Sequence, residues 1–306
     1  LNDHLDADGS LRLLSDVAEL AAERPAPRVR QGVLARIRAL TAELPVPSEA
    51  PTAAEPYAAQ VAGLDALLAR APEEQWRTPT VTGWDVAGLV AHLTAVDAIA
   101  AETLGLPIPP ELGAGPDVEL RTQVVQRAYA DRPPADLHRA WRGQAITLLR
   151  WASANADRLE TTVPYFGLPL TRAEVLADRG VETWIHAEDV RTAWGTSLLP
   201  PTGAQVSVLT GAGMRVLATV WGGLNVSDGV LVHLTGAGGG DWLLDPGGTA
   251  APAGHGPFGA EISLDALEFC YLVVGRRSAD DVAHAADGDR ALAASVLTTA
   301  ALLARL

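Results

Sequence analysis

The chain contains no lysine: all 23 of its basic residues are arginine. It has one cysteine, Cys270, and seven histidines. Without lysine there is no Schiff-base lysine, no pyridoxal-phosphate anchor and no P-loop lysine. A single cysteine excludes an internal disulfide and any cysteine-rich zinc site. Basic residues are outnumbered by 37 acidic ones, for a formal net charge of -14. That balance argues against nucleic acid or an anionic membrane surface as partner, since both require a basic face. No uninterrupted run of 18 apolar residues is present, so the sequence predicts no membrane span. One free thiol without a signal-peptide pattern leads to the expectation of a reducing cytoplasm.

What is present is an ordinary globular composition of 306 residues, 48% apolar and 20% charged. That length allows two or three compact domains. Residues 1–50 read as a helical N-terminal extension, with one apolar stripe through Leu11, Leu14, Val17 and Leu20 and another through Val33, Leu34, Ile37 and Leu40. The stretch PVPSEAPTAAEP (45–56) reads as a linker. From residue 54 to 196 the pattern is helical. Tyr57, Val61, Leu64 and Leu68 share a face, and Val86, Leu89, Val90, Leu93 and Val96 share another, with Asp85 or Thr82 as cap. Further helices are predicted near 120–130, after Pro133 and Pro134, and over 171–194, with an extended segment at 163–170. Residues 203–306 have a different texture. A hairpin around the glycine cluster Gly236–Gly240, a strand running into a helix over 260–277 and a final helix from 289 predict a small α+β domain.

Two histidines stand in unusual company. His92 lies within the apolar stretch LVAHLTAV, and His186 follows Glu182 by four residues. Spacing of i and i+4 on a helix puts imidazole and carboxylate on one face, a turn apart. Such a pair can share a divalent cation, and His92 from another helix is the natural third ligand. Three protein ligands leave positions open for water or substrate, as a catalytic site requires. The ordinary alternative is a satisfied core histidine and a surface ion pair. Asp189, three residues after His186, is either a carboxylate holding an imidazole N–H or a solvated charge, and Asp97 after His92 has the same two readings. Trp84, Trp184 and Trp194 read as core packing, and Cys270 in EFCYLVV as buried and inert.

Three segments resemble the mycothiol-dependent maleylpyruvate isomerase family, within the DinB-like group of metal-binding bundles. They are GWDVAGLVAHL with His92, then LTRAEVLADRGVETWIHAEDVRTAWG with Arg179, Glu182, His186 and Asp189, then VHLTGAGGGDWLL followed by VVGRR. The resemblance covers about residues 55–306. It implies a multi-domain chain, a DinB-like four-helix bundle followed by a small α+β C-terminal domain. It implies zinc, or another divalent metal, on His92, Glu182 and His186, with mycothiol as thiol cosubstrate. The family's C-terminal arginine, which contacts substrate or thiol, corresponds to Arg276, with Arg277 as the neighbouring alternative. The N-terminal segment resembles a zinc-binding anti-sigma-factor domain in which His4 is kept but Asp8 and Leu11 stand where the cysteines belong. That metal site is therefore lost, and a sigma factor is a partner only of the second kind below.

Three functions are consistent with these features. The first is a zinc- and mycothiol-dependent isomerase or S-transferase acting on a small-molecule substrate, with an anionic one suited to Arg276. The second is an anti-sigma-like regulatory or binding protein with a non-catalytic bundle. The third is a metal-dependent biosynthetic enzyme that uses no thiol.

Overall fold

In the computed structural model, residues 52–224, 226–252 and 257–303 are described. The N-terminal extension with His4, Asp8 and Leu11 lies outside them. The described residues form eight helices and seven strands, all within one compact unit.

Four helices make the bundle: α1 (Glu55–Leu68), α2 (Val86–Thr103), α4 (Pro134–Ala154) and α5 (Arg172–Ala193). Helix α3 (Val118–Tyr129) packs against α2 from outside. The expected apolar faces are the ones buried: Tyr57, Val61 and Leu64 of α1 and Leu89, Val90 and Leu93 of α2 are fully enclosed. Asp85 caps α2 by accepting from the Gly88 N–H at 2.8 Å. The sequence has no unbroken apolar run of 18 residues, but α2 is long and apolar enough on average to match a span by length and composition. Its 18 residues have a mean hydropathy of 1.3. Asp97 and His92 interrupt any continuous apolar run but leave the mean high. The helix is the bundle's central one, packed by α3, α4 and α5, and 72% of it is buried.

The segment expected to be extended is a hairpin of β1 (Thr162–Tyr165) and β2 (Leu168–Thr171). Its turn is Phe166-Gly167, both left-handed, with φ of 49° and 78°. Thr171 then starts α5 with a capping box: its hydroxyl accepts from the Glu174 N–H, and the Glu174 carboxylate accepts from the Thr171 N–H at 2.7 Å. Gly180 allows α5 to approach α1 closely, since a Cβ there would stand 3.1 Å from the Tyr57 backbone nitrogen.

The C-terminal part is a five-stranded sheet in the order β5-β4-β3-β6-β7, with β3 (Gly229–Thr235) and β6 (Phe258–Asp265) parallel and the other pairs antiparallel. Strand β4 is Gly240–Asp245, β5 Thr249–Pro252 and β7 His284–Gly288. Val230, Val232 and Leu234 alternate inward beside Ala260, Ile262 and Leu264. Helices α6 (Gly203–Gly222), α7 (Ala266–Val273) and α8 (Arg290–Leu302) cover that face. Trp184 of α5 is packed into this second core, which ties the bundle to the sheet-bearing part.

Candidate metal centre

Helix α5 carries a polar stripe at 179, 182, 186 and 189, spacings of three and four that keep all four side chains on one face. Two of these meet His92 from α2. His186 Nε2 is 3.4 Å from Glu182 Oε2, and His92 Nε2 is 3.5 Å from the same oxygen. The ligating atoms of His92, Glu182 and His186 all lie within 4.8 Å of one another. Two donors each about 2.1 Å from one ion at tetrahedral angles stand about 3.4 Å apart, so this spacing fits a shared divalent cation. Among the described residues this is the cluster that could hold an ion.

The outward nitrogens of both imidazoles are already engaged. His186 Nδ1 is 2.9 Å from Asp189 Oδ2, and His92 Nδ1 is 3.2 Å from Thr122 Oγ1. That arrangement holds each ring with Nε2 turned toward Glu182, as metal-ligating histidines require. Asp189 therefore takes the first of its two sequence readings. Asp97 takes neither of the two proposed for it. Five residues beyond His92, it points about 140° away around the helix. It is fully buried, accepts the Tyr57 hydroxyl at 2.9 Å and faces Arg179 Nε at 3.3 Å.

Burial lowers the pKa of His92, favouring the neutral imidazole. Burial opposes charge on His186 too, but the hydrogen bonds it donates to Asp189 and Glu182 outweigh it and raise the pKa. For Glu182, burial acts upward and is overcome by both histidines and Arg179, which hold the carboxylate well below its usual range. Arg179 is fully buried behind the site, near Asp97, Asp178 and Glu182. Burial works against its charge, yet the surrounding acidic groups raise its pKa. Burial pushes Asp178 up to about 6 and Asp97 up to about 7.

The three residues open on a cleft of about 460 Å³, which is lined on the bundle side by Tyr165, Phe166 and Asp178 and on the other side by Val273 and Arg276. Arg276 reaches Asp189 with Nη2 at 2.6 Å and Nε at 3.3 Å. Arg277 turns away, bonding Glu268 and lying over the Tyr271 ring. Of the two arginines considered from the sequence, Arg276 is the one at the cleft. Cys270 lines the cleft as well but is 2% exposed, with burial pushing its thiol up to about 12. Trp184 and Trp194 pack and donate to Glu188 and to the Gln75 carbonyl, whereas Trp84 lies against His92 with ring centroids 5.2 Å apart. Sequence reasoning missed Thr122, Asp178, Tyr165 and Phe166. Thr122 sits 30 residues from the histidine it contacts, and no local spacing announces it.

A four-helix bundle with two histidines and a glutamate converging between two of its helices is an arrangement that could hold a divalent ion. Residues 57–191 match the family model of the mycothiol maleylpyruvate isomerase N-terminal domain. The resemblance read from the sequence is borne out over these residues, which include all three convergent side chains. Two uncharacterized proteins of Mycobacterium tuberculosis, one from strain CDC 1551 / Oshkosh and one from strain H37Rv, are each 26% identical over 227 residues, covering 70% of this chain and 81% of theirs. Crystal structures of the mycothiol-dependent maleylpyruvate isomerase and of a mutant of it are each 18% identical, with a TM-score of 0.47, covering 76% of this chain and 91% of theirs.

Proposed function

We propose that the protein is a metal-dependent enzyme that activates a small-molecule thiol, mycothiol, for addition to an electrophilic substrate, as an isomerase or a thiol transferase. The observation that carries this reading is the convergence of His92, Glu182 and His186 at 3.4–3.5 Å on the floor of a cleft that also holds Arg276. The family match over residues 57–191 supports the thiol, since the name of that family specifies mycothiol.

A free thiol has a pKa of about 8.5, so little is thiolate at neutral pH. A divalent metal, zinc in this reading, binds thiolate in preference to thiol and lowers that pKa. The chain's own residues do the rest. Asp189 and Thr122 orient the two imidazoles. Tyr165, Phe166 and Val273 line the cleft beside the three convergent side chains. Arg276 offers a guanidinium to a substrate carboxylate. Thiolate sulfur adds to one carbon of a cis double bond, the π electron pair moves onto the conjugated carbonyl of the substrate, the resulting single bond rotates, and return of the pair expels the thiolate and leaves the trans product. If the adduct takes up a proton instead of eliminating, sulfur stays on the carbon and the net reaction is addition of the thiol to the substrate.

Metal analysis of the purified chain, with turnover assayed with and without mycothiol, tests this. About one divalent ion per chain, lost in His92→Ala, and thiol-dependent turnover are expected. A chain without metal, whose activity is indifferent to His92→Ala, refutes the reading. Metal-dependent but thiol-independent turnover replaces the thiol chemistry with another metal-assisted reaction.

A further inference from the structure

The Oδ2 atom of Asp189 serves two donors. Arg276 Nη2 lies 2.6 Å from it, and His186 Nδ1 lies 2.9 Å from it. The carboxylate is 5% exposed, so little solvent reaches it to spread its charge. Two N–H groups on one oxygen divide the charge that either would have alone, and in a low-dielectric setting that division matters. The two donors come from different parts of the fold. His186 and Asp189 belong to α5 of the bundle, whereas Arg276 follows α7 of the sheet-bearing part. Its backbone N–H is held by the Tyr271 carbonyl at 2.9 Å, and its side chain is 28% exposed in the cleft, within reach of a ligand.

We propose that Arg276 sets the donor strength of His186 by competing with it for Asp189 Oδ2, so that a carboxylate ligand which draws Arg276 away tightens divalent-metal binding. This rests on the reading of His92, Glu182 and His186 as a metal site. Relieved of Arg276, Asp189 holds the Nδ1–H of His186 alone, and Nε2 becomes the stronger ligand. Linkage makes the effect reciprocal: bound metal favours departure of Arg276 toward the anionic ligand. Arg276 is thus a positioning residue for the metal before it is a contact for substrate, and the cleft reports its occupancy to the ion.

The test is zinc affinity by competition with a chromophoric chelator, measured on the full chain without substrate. Arg276→Met is expected to bind zinc about 5- to 20-fold more tightly than wild type, a modest coupling. Arg276→Lys, which keeps a donor on Asp189, and Arg277→Met, which removes the same charge next door, stay within about twofold of wild type. Asp189→Asn binds about 10- to 100-fold more weakly, and adding Arg276→Met to it restores nothing. Saturating succinate, a simple dicarboxylate, tightens zinc binding by wild type and not by Arg276→Met. Equal or weaker binding by Arg276→Met overturns the proposal, as does an equal gain in Arg277→Met. Wild-type chain that binds no zinc overturns the metal reading itself, which separates the two failures.

Discussion

Glu182 and His186 stand one turn apart on α5 with Oε2 and Nε2 separated by 3.4 Å, and the His92 imidazole closes on the same oxygen from α2. A divalent ion held by these three groups would bind the folded chain and not the unfolded one. A ligand that binds only the native state stabilises it by about 2.7 kcal/mol at 100 times its Kd. In a chain of this size that corresponds to about 5–10 °C in Tm. Chelator-stripped protein is therefore expected to melt that much lower than zinc-saturated protein. His92→Ala and Glu182→Gln lose most of the shift. A full shift retained in His92→Ala removes that residue from the ligand set.

The helical stripes of α1, α2 and α5 were legible because their apolar and polar residues repeat at helical spacing. The Glu182–His186 pair was legible for the same reason. Its partner His92 stood out as a histidine inside an apolar helix. Helix α6 was not legible: four glycines in 20 residues, Gly203, Gly211, Gly213 and Gly222, weaken its propensity. Those glycines answer to packing instead, as where Gly213 faces Phe269 at 3.2 Å from its would-be Cβ. Thr122 joins the site through tertiary contact alone, whereas Asp178 precedes Glu182 by four residues on α5 and shares its face. The 18-residue apolar mean of α2 escaped a search for unbroken runs.

Arg179 is a buried cation whose partner Asp97 is equally buried, with Nε and Oδ1 3.3 Å apart. Removing one member of such a pair leaves the other without compensation, at a cost of about 3–5 kcal/mol. Arg179→Met is expected to lose about that much stability in urea unfolding. Arg179→Met combined with Asp97→Asn recovers at least half, because the stranded carboxylate is gone. A double variant no more stable than the single one contradicts this pairing.

The start of α5 sets where Glu182 and His186 fall, and Thr171 fixes that start through its capping box. Thr171→Ala removes the hydroxyl that accepts the Glu174 N–H, a loss of about 1 kcal/mol. The expected fall in Tm is about 2–4 °C. Metal affinity is expected to be unchanged, because the ligands lie turns beyond the cap. A weakened metal site would show instead that the helix register shifts when the cap is lost.

Cys270 decides whether the chain carries a nucleophile of its own. Its sulfur borders the cleft, but burial, reinforced by Asp265, pushes the thiol up to about 12. At pH 8 about one such thiol in ten thousand is ionised, against roughly a quarter of an ordinary one at about 8.5. Iodoacetamide is thus expected to label native protein about 1000-fold more slowly than a model thiol. In urea it labels at the ordinary rate. Cys270→Ser is expected to leave thiol-dependent turnover intact. Fast native labelling would instead bring an internal thiolate to the cleft. In the proposed reaction the sulfur therefore comes from the small-molecule thiol and not from Cys270.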